Sequence, residues 1–125
     1  MQVIKTEKAP LPVGPYSQAM RAGNFLFISG QGALDPKTRR TVDGDIEAQT
    51  KQTIENVKAI LTASGMSVSN VVKVTVFLKD IKDFKKMNEV YSTFFKSDPP
   101  ARTTVQAQLP VPEWLVELDV VACSI

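Results

Sequence analysis

The sequence predicts an α+β fold, one mixed β-sheet with two helices packed on a single face. Three observations predict it. Apolar periodicity runs in the order strand, strand, helix, strand, helix, strand, strand, which supplies one helical layer and no second. Phe25–Gly30 and Val71–Leu78 place apolar side chains on both faces of their strands, so both stretches need cover on both sides. Ile46–Leu61 and Phe84–Phe95 carry apolar residues at helical spacing. The 125 residues are enough for one domain, 1–125, with a sizeable core, and no repeat or low-complexity linker divides them.

Taken in order, Lys8–Pro15 carries three prolines and a glycine and reads as a stiff extended lead into Tyr16-Ser17-Gln18. A short strand over Gln18–Ala22 is joined to Phe25–Gly30 by Gly23-Asn24, a pair that tolerates the positive φ of a two-residue hairpin turn. Gly30-Gln31-Gly32 ends that strand with backbone that a ligand can approach closely. Asp35-Pro36-Lys37-Thr38 is a turn, and Asp43 or Asp45 caps the first helix. Ile46, Thr50, Ile54, Val57, Ile60 and Leu61 form its apolar face, with Gly65 at its C-terminal end. After a loop at Ser67–Asn70 comes the strand Val71–Leu78. Asp80 caps a second helix running to about Phe95, with Phe84, Met87, Tyr91, Phe94 and Phe95 as its buried stripe. Asn88 falls within that stripe. Its amide either satisfies a neighbouring loop or lines a pocket. Pro99-Pro100 opens a strand from Arg102 to about Gln108, Leu109–Pro112 breaks it, and Trp114–Ser124 is the last strand.

Composition removes several function classes. Fifteen basic and 13 acidic residues leave a formal charge of +2, and no basic-aromatic stripe marks a nucleic-acid footprint. No stretch reaches the length of a membrane span, and Met1–Lys5 lacks the pattern of a signal peptide. A single cysteine, Cys123, excludes an intrachain disulfide, and the expected compartment is the cytoplasm. With no histidine, Ser-His and Cys-His nucleophiles and histidine metal sites are impossible. Chemistry must run on carboxylates, Arg, Lys, Tyr, hydroxyls and backbone groups.

Covering one sheet face leaves an apolar patch on the other, which predicts a closed symmetric oligomer, dimer or trimer. Arg102, at the mouth of a strand behind two prolines, presents a planar fork of donors suited to a carboxylate or phosphate. Arg102, Thr104 and Gln106 share one strand face, and Glu117 and Asp119 share another. If these strands are neighbours, their polar faces coincide. Two readings stay open: a structural network with Arg102 paired to Glu117, or an anion-binding cleft in which Arg102 grips a ligand carboxylate and Glu117 handles protons.

Several stretches together resemble the Rid family of reactive intermediate deaminases, also called YjgF. They are Gly14-Pro15-Tyr16-Ser17-Gln18, Ile28-Ser29-Gly30-Gln31, Asp35-Pro36-Lys37-Thr38, Gln52–Leu61, Val72–Asp80, Met87-Asn88-Glu89-Val90-Tyr91 and Pro100-Ala101-Arg102, covering nearly the whole chain. The resemblance implies a chorismate-mutase-like fold assembled as a homotrimer with clefts between subunits. It implies hydrolysis of 2-imino acids such as 2-iminobutanoate and 2-iminopropanoate, and of their enamine tautomers, to 2-oxo acids and ammonia, with no cofactor and no metal. The family arginine falls on Arg102 and would grip the substrate carboxylate; the family glutamate falls on Glu117 and would position or deprotonate the attacking water. Tyr16, Ser29, Gly30 and Asn88 fall on family pocket positions. Thr104 stands where the family commonly has cysteine, Asp119 where glutamate is usual, and Val111–Leu115 replaces a more polar turn. The alternatives from other classes are a trimer that binds small carboxylates without turnover, and RNA cleavage or translational inhibition.

Overall fold

In a computed structural model describing residues 1–125, the chain folds as β1 (Gln2–Ile4), β2 (Ala19–Ala22), β3 (Phe25–Gln31), α1 (Ile46–Ala63), β4 (Val71–Leu78), α2 (Phe84–Phe94), β5 (Ala101–Gln106) and β6 (Val116–Cys123). Short 3-10 turns at Val68–Asn70 and Ile81–Asp83 lead into β4 and α2. One six-stranded sheet has the order β1-β2-β3-β6-β4-β5. It is mixed: β4 and β5 run parallel, and every other pair is antiparallel.

Both helices cover one sheet face. Val74, Val76 and Leu78 of β4 and Val116, Leu118, Val120 and Ala122 of β6 are buried there against Ile54, Val57, Ile60 and Leu61 of α1. All six apolar positions expected on α1 are buried. Asp45 is its N-cap, accepting from the amides of Glu47 and Ala48, and Asp43 is not. Ser64 is the C-cap, followed by Gly65 at φ +74°, a left-handed conformation that favours glycine.

The expected element order holds, with differences at the ends. Asp80 caps the 3-10 turn rather than α2 itself. The strand at Gln2–Ile4 was not expected; it is short, and only Ile4 is buried. Gln18 lies outside β2, and its buried side chain holds the N-terminal segment, accepting from the Thr6 amide and donating to the Thr6, Ala9 and Pro10 carbonyls. The strand of Arg102 ends at Gln106, and the last strand begins only at Val116.

The other sheet face is bare. Phe25 and Phe27 are 46% and 49% exposed there, with Val3 and Val105 also open. No helix is long and apolar enough to cross a membrane.

Candidate functional site

The strands of Arg102 and Glu117 are not neighbours, which corrects the arrangement considered from sequence spacing. β4 runs between them: Val74 pairs with both Arg102 and Val120, and Phe77 with both Val105 and Glu117. Arg102 and Glu117 are thus two strands apart and three residues out of level, roughly 14 Å between Cα atoms. They also leave the sheet on opposite faces. Arg102 shares the helix-side face of Val74, whereas Glu117 shares the bare face of Phe77. The chain makes two half-sites, one on each face, and an Arg102–Glu117 pair within one chain is excluded.

The first half-site stands at the edge strand β5. The Arg102 guanidinium lies over the Tyr91 ring at 4.8 Å and the Phe84 ring at 5.5 Å, both on α2. Aromatic faces hold a cation by their quadrupole without neutralising its charge. No carboxylate pairs with Arg102, the chain's ion pair being Lys58–Glu55. Asn88 lies one turn from Phe84 and from Tyr91, hence on the same face of α2. Asn88 Oδ1 and Tyr91 Oη are both buried without a hydrogen-bond partner. Burial pushes the Tyr91 phenol above its ordinary pKa, with the nearby Arg102 charge and the close approach of its guanidinium donors to the phenol opposing the shift. Thr104, half-buried beside Val76, follows Arg102 on the same strand face.

The second half-site lies on the bare face where β3 meets β6. The pairing register shifts between Ile28 and Gln31, a bulge that leaves Ser29 and Gly30 out of the ladder. The Ser29 amide donates to the Gln18 carbonyl at 2.9 Å and its hydroxyl to the Ser17 carbonyl at 2.6 Å. Glu117 packs its carboxylate over Gly30, which has no side chain to exclude it. Glu117 Oε1 is buried without a partner. Burial first, and the like charge of Asp119 second, raise the Glu117 pKa above its ordinary value. Tyr16, on the segment leading to Ser17, is 51% exposed, and its hydroxyl oxygen accepts from the Val13 amide at 3.4 Å.

The structure therefore gathers Arg102, Asn88 and Thr104 on one side, and Ser29, Gly30 and Glu117 on the other. Tyr16 hydrogen-bonds to none of them. Main surface grooves, such as that along Lys79, Gln106, Gln108 and Pro112, are lined by none of the seven. No group of three or more His, Cys, Asp or Glu side chains is placed to hold a metal ion. Sequence reasoning missed Phe84 and Tyr91 as the seat of Arg102, because both sit in an apolar helical stripe that reads as core. Phe84 is in fact 39% exposed.

Comparison with known proteins places the chain in a family. A family model described as Endoribonuclease L-PSP matches residues 6–124. A RutC family protein of Pyrococcus horikoshii is 54% identical over 121 residues, 97% of this chain and 96% of that one. The chloroplastic Reactive Intermediate Deaminase A of Arabidopsis thaliana is 48% identical over 88% of this chain and 59% of its own length. The crystal structure of RidA from an Antarctic Psychrobacter is similar at a TM-score of 0.94 and 43% identity, covering 98% of this chain and 99% of that one. That of E. coli TdcF with bound serine is similar at 0.93 and 38% identity, covering 98% of each. The chain belongs to the Endoribonuclease L-PSP family, whose members also carry the names RutC family protein and RidA.

Proposed function

We propose that this protein hydrolyses 2-imino acids and their enamine tautomers to 2-oxo acids and ammonia, in clefts between the copies of a homotrimer. The observation that carries the reading is Arg102: a guanidinium with no counter-ion, seated on two aromatic rings beside two unpartnered polar atoms. A site of this kind favours a small carboxylate. The serine bound to the related TdcF is a ligand of that class, and a relative named for deaminating reactive intermediates supports the chemistry. The apolar bare face, which carries Glu117, supports the assembly, since an exposed apolar face of this size calls for a partner.

In this reading Arg102 grips the substrate carboxylate in a bidentate manner, and Asn88 and Thr104 shape the cleft beside it. Tyr16 and the Ser29-Gly30 backbone form the opposing wall. Glu117 takes a proton from a water that adds its oxygen to the imine carbon. The same proton then goes to nitrogen and gives a carbinolamine; its hydroxyl proton next passes by way of Glu117 to the amino nitrogen as the C–N bond breaks, so that ammonia leaves and a 2-oxo acid remains. A carboxyl whose proton affinity is raised by burial is a better proton acceptor than an ordinary glutamate, and can return the proton it takes. Orientation supplies much of the acceleration, because an imine already hydrolyses in water. No step requires a metal or cofactor.

The test couples the protein to a threonine dehydratase and follows 2-oxo acid and ammonia. Wild type accelerates their release and Arg102→Ala does not, while its assembly stays intact. Full activity in Arg102→Ala refutes the assignment. A second reading, a carboxylate-binding trimer without turnover, draws on the same bound serine, a stable amino acid rather than an imine. It predicts ligand stabilisation with no acceleration. RNA cleavage, which the family description names, is disfavoured by a formal charge of only +2.

A further inference from the structure

We propose that Gly30 is a positioning residue for Glu117: the missing side chain is the seat on which the carboxylate rests, and it fixes where the unpartnered Oε1 stands. The inference starts from the bulge. Ser29 is pinned on both sides, by its amide and hydroxyl to the Gln18 and Ser17 carbonyls and by its own carbonyl, which accepts from Gln31 Nε2 at 3.1 Å. A pinned bulge turns the next residue toward the neighbouring strand. The residue turned there is Gly30. A Cβ added to it would collide with Glu117 Oε2 and stand 3.0 Å from Cδ. The colliding atom is the end of a flexible side chain, so the carboxylate would give way while the backbone stays. Alanine at position 30 should leave the fold intact and move the one group that matters.

The surroundings of Glu117 make the displacement readable. From β6 the carboxylate of Asp119 faces it. From β4 the register partner is Phe77; of the strand's flanking charges, Lys73 has its ammonium on Thr103 Oγ1 at 2.8 Å and Lys79, just past the strand, has its on the Pro112 carbonyl at 2.8 Å. From β3 come only Gly30 and Ser29. In the trimer proposed above, a neighbouring copy's Arg102 would add a positive charge. Pushed off its glycine seat, Glu117 moves toward water and its proton affinity falls toward the ordinary glutamate value. Gly30→Ala therefore mimics neither a loss of fold nor a loss of the acid, but a misplaced acid.

The experiment follows the Glu117 side-chain carboxyl by 13C NMR titration in glutamate-labelled full-length protein, with Glu117→Gln identifying the resonance. Gly30→Ala should move the Glu117 titration away from its wild-type position and toward that of an ordinary glutamate. Titration in Gly30→Ala unchanged from wild type overturns the proposal. This arm needs no turnover, so it stands or falls apart from the imine-hydrolysis reading, on which the kinetic arm rests. There, Gly30→Ala should lower kcat about 100-fold, as for a group displaced by about an ångström. In a Glu117→Gln background it should lower kcat no further, as coupled residues require. Equal losses in both backgrounds also overturn the proposal. Should Gly30→Ala fail to fold, folding restored by Glu117→Ala upholds the contact, and failure in both backgrounds refutes it.

Discussion

Arg102 is held without a counter-ion, and that decides how its neighbours should respond to substitution. Tyr91, only 6% exposed, supplies a ring face at 4.8 Å. Cation–π contacts contribute about 0.5–2 kcal/mol, a factor of roughly two to 30 in affinity. Tyr91→Phe should keep the affinity for a small 2-oxo acid near wild type, and Tyr91→Leu should weaken it by about that factor in calorimetric titration. Equal affinity in both variants would remove the ring from the account. Glu117 carries a pH signature of its own. Its folded pKa is raised, so the native state holds this proton more tightly than the unfolded chain does. The stability it contributes is complete below the ordinary glutamate value and is lost as pH rises through the raised folded value. Glu117→Gln should therefore be more stable than wild type at neutral pH and similar in mild acid. A Tm difference that is flat with pH contradicts the raised value.

At the scale of elements, the local rules were legible and the long-range pairing was not. The apolar face of α1 follows from a 3.6-residue period, and Asp45 caps it because its carboxylate reaches the amides of Glu47 and Ala48. Asp45→Ala should cost about 1 kcal/mol in denaturant unfolding, and Asp43→Ala little. β1 escaped notice because three residues carry too little pattern. The insertion of β4 between β5 and β6 could not be read from spacing, since no local preference says which strands become neighbours. That insertion sends Arg102 and Glu117 to opposite faces, so residue types alone suggested a pair that the topology forbids. The bulge at Ser29-Gly30 was visible only as a glycine ending a strand. Its partner Glu117 lies 87 residues further along, beyond any local signal.

For the whole molecule, the bare sheet face is the consequence that the apolar strands foretold. Phe25 and Phe27 stand side by side there, their rings 6.3 Å apart. Phe27→Asp should break the proposed trimer, lowering the light-scattering mass to that of one chain and removing activity although Arg102 and Glu117 are untouched. An intact assembly in that variant would place the subunit seam elsewhere. The separation of the two half-sites by the thickness of the sheet then has a direct meaning. No single copy can bring its guanidinium and its acid to one ligand; in the proposed trimer, neighbouring copies would.

Subunit complementation tests this most directly. Arg102→Ala chains and Glu117→Ala chains are each expected to be inactive. Co-folded in equal amounts, each mixed ring would contain one seam that joins an intact Arg102 to an intact Glu117, restoring roughly a quarter of wild-type imine hydrolysis. Mixed rings as inactive as their parents would contradict a site shared between copies.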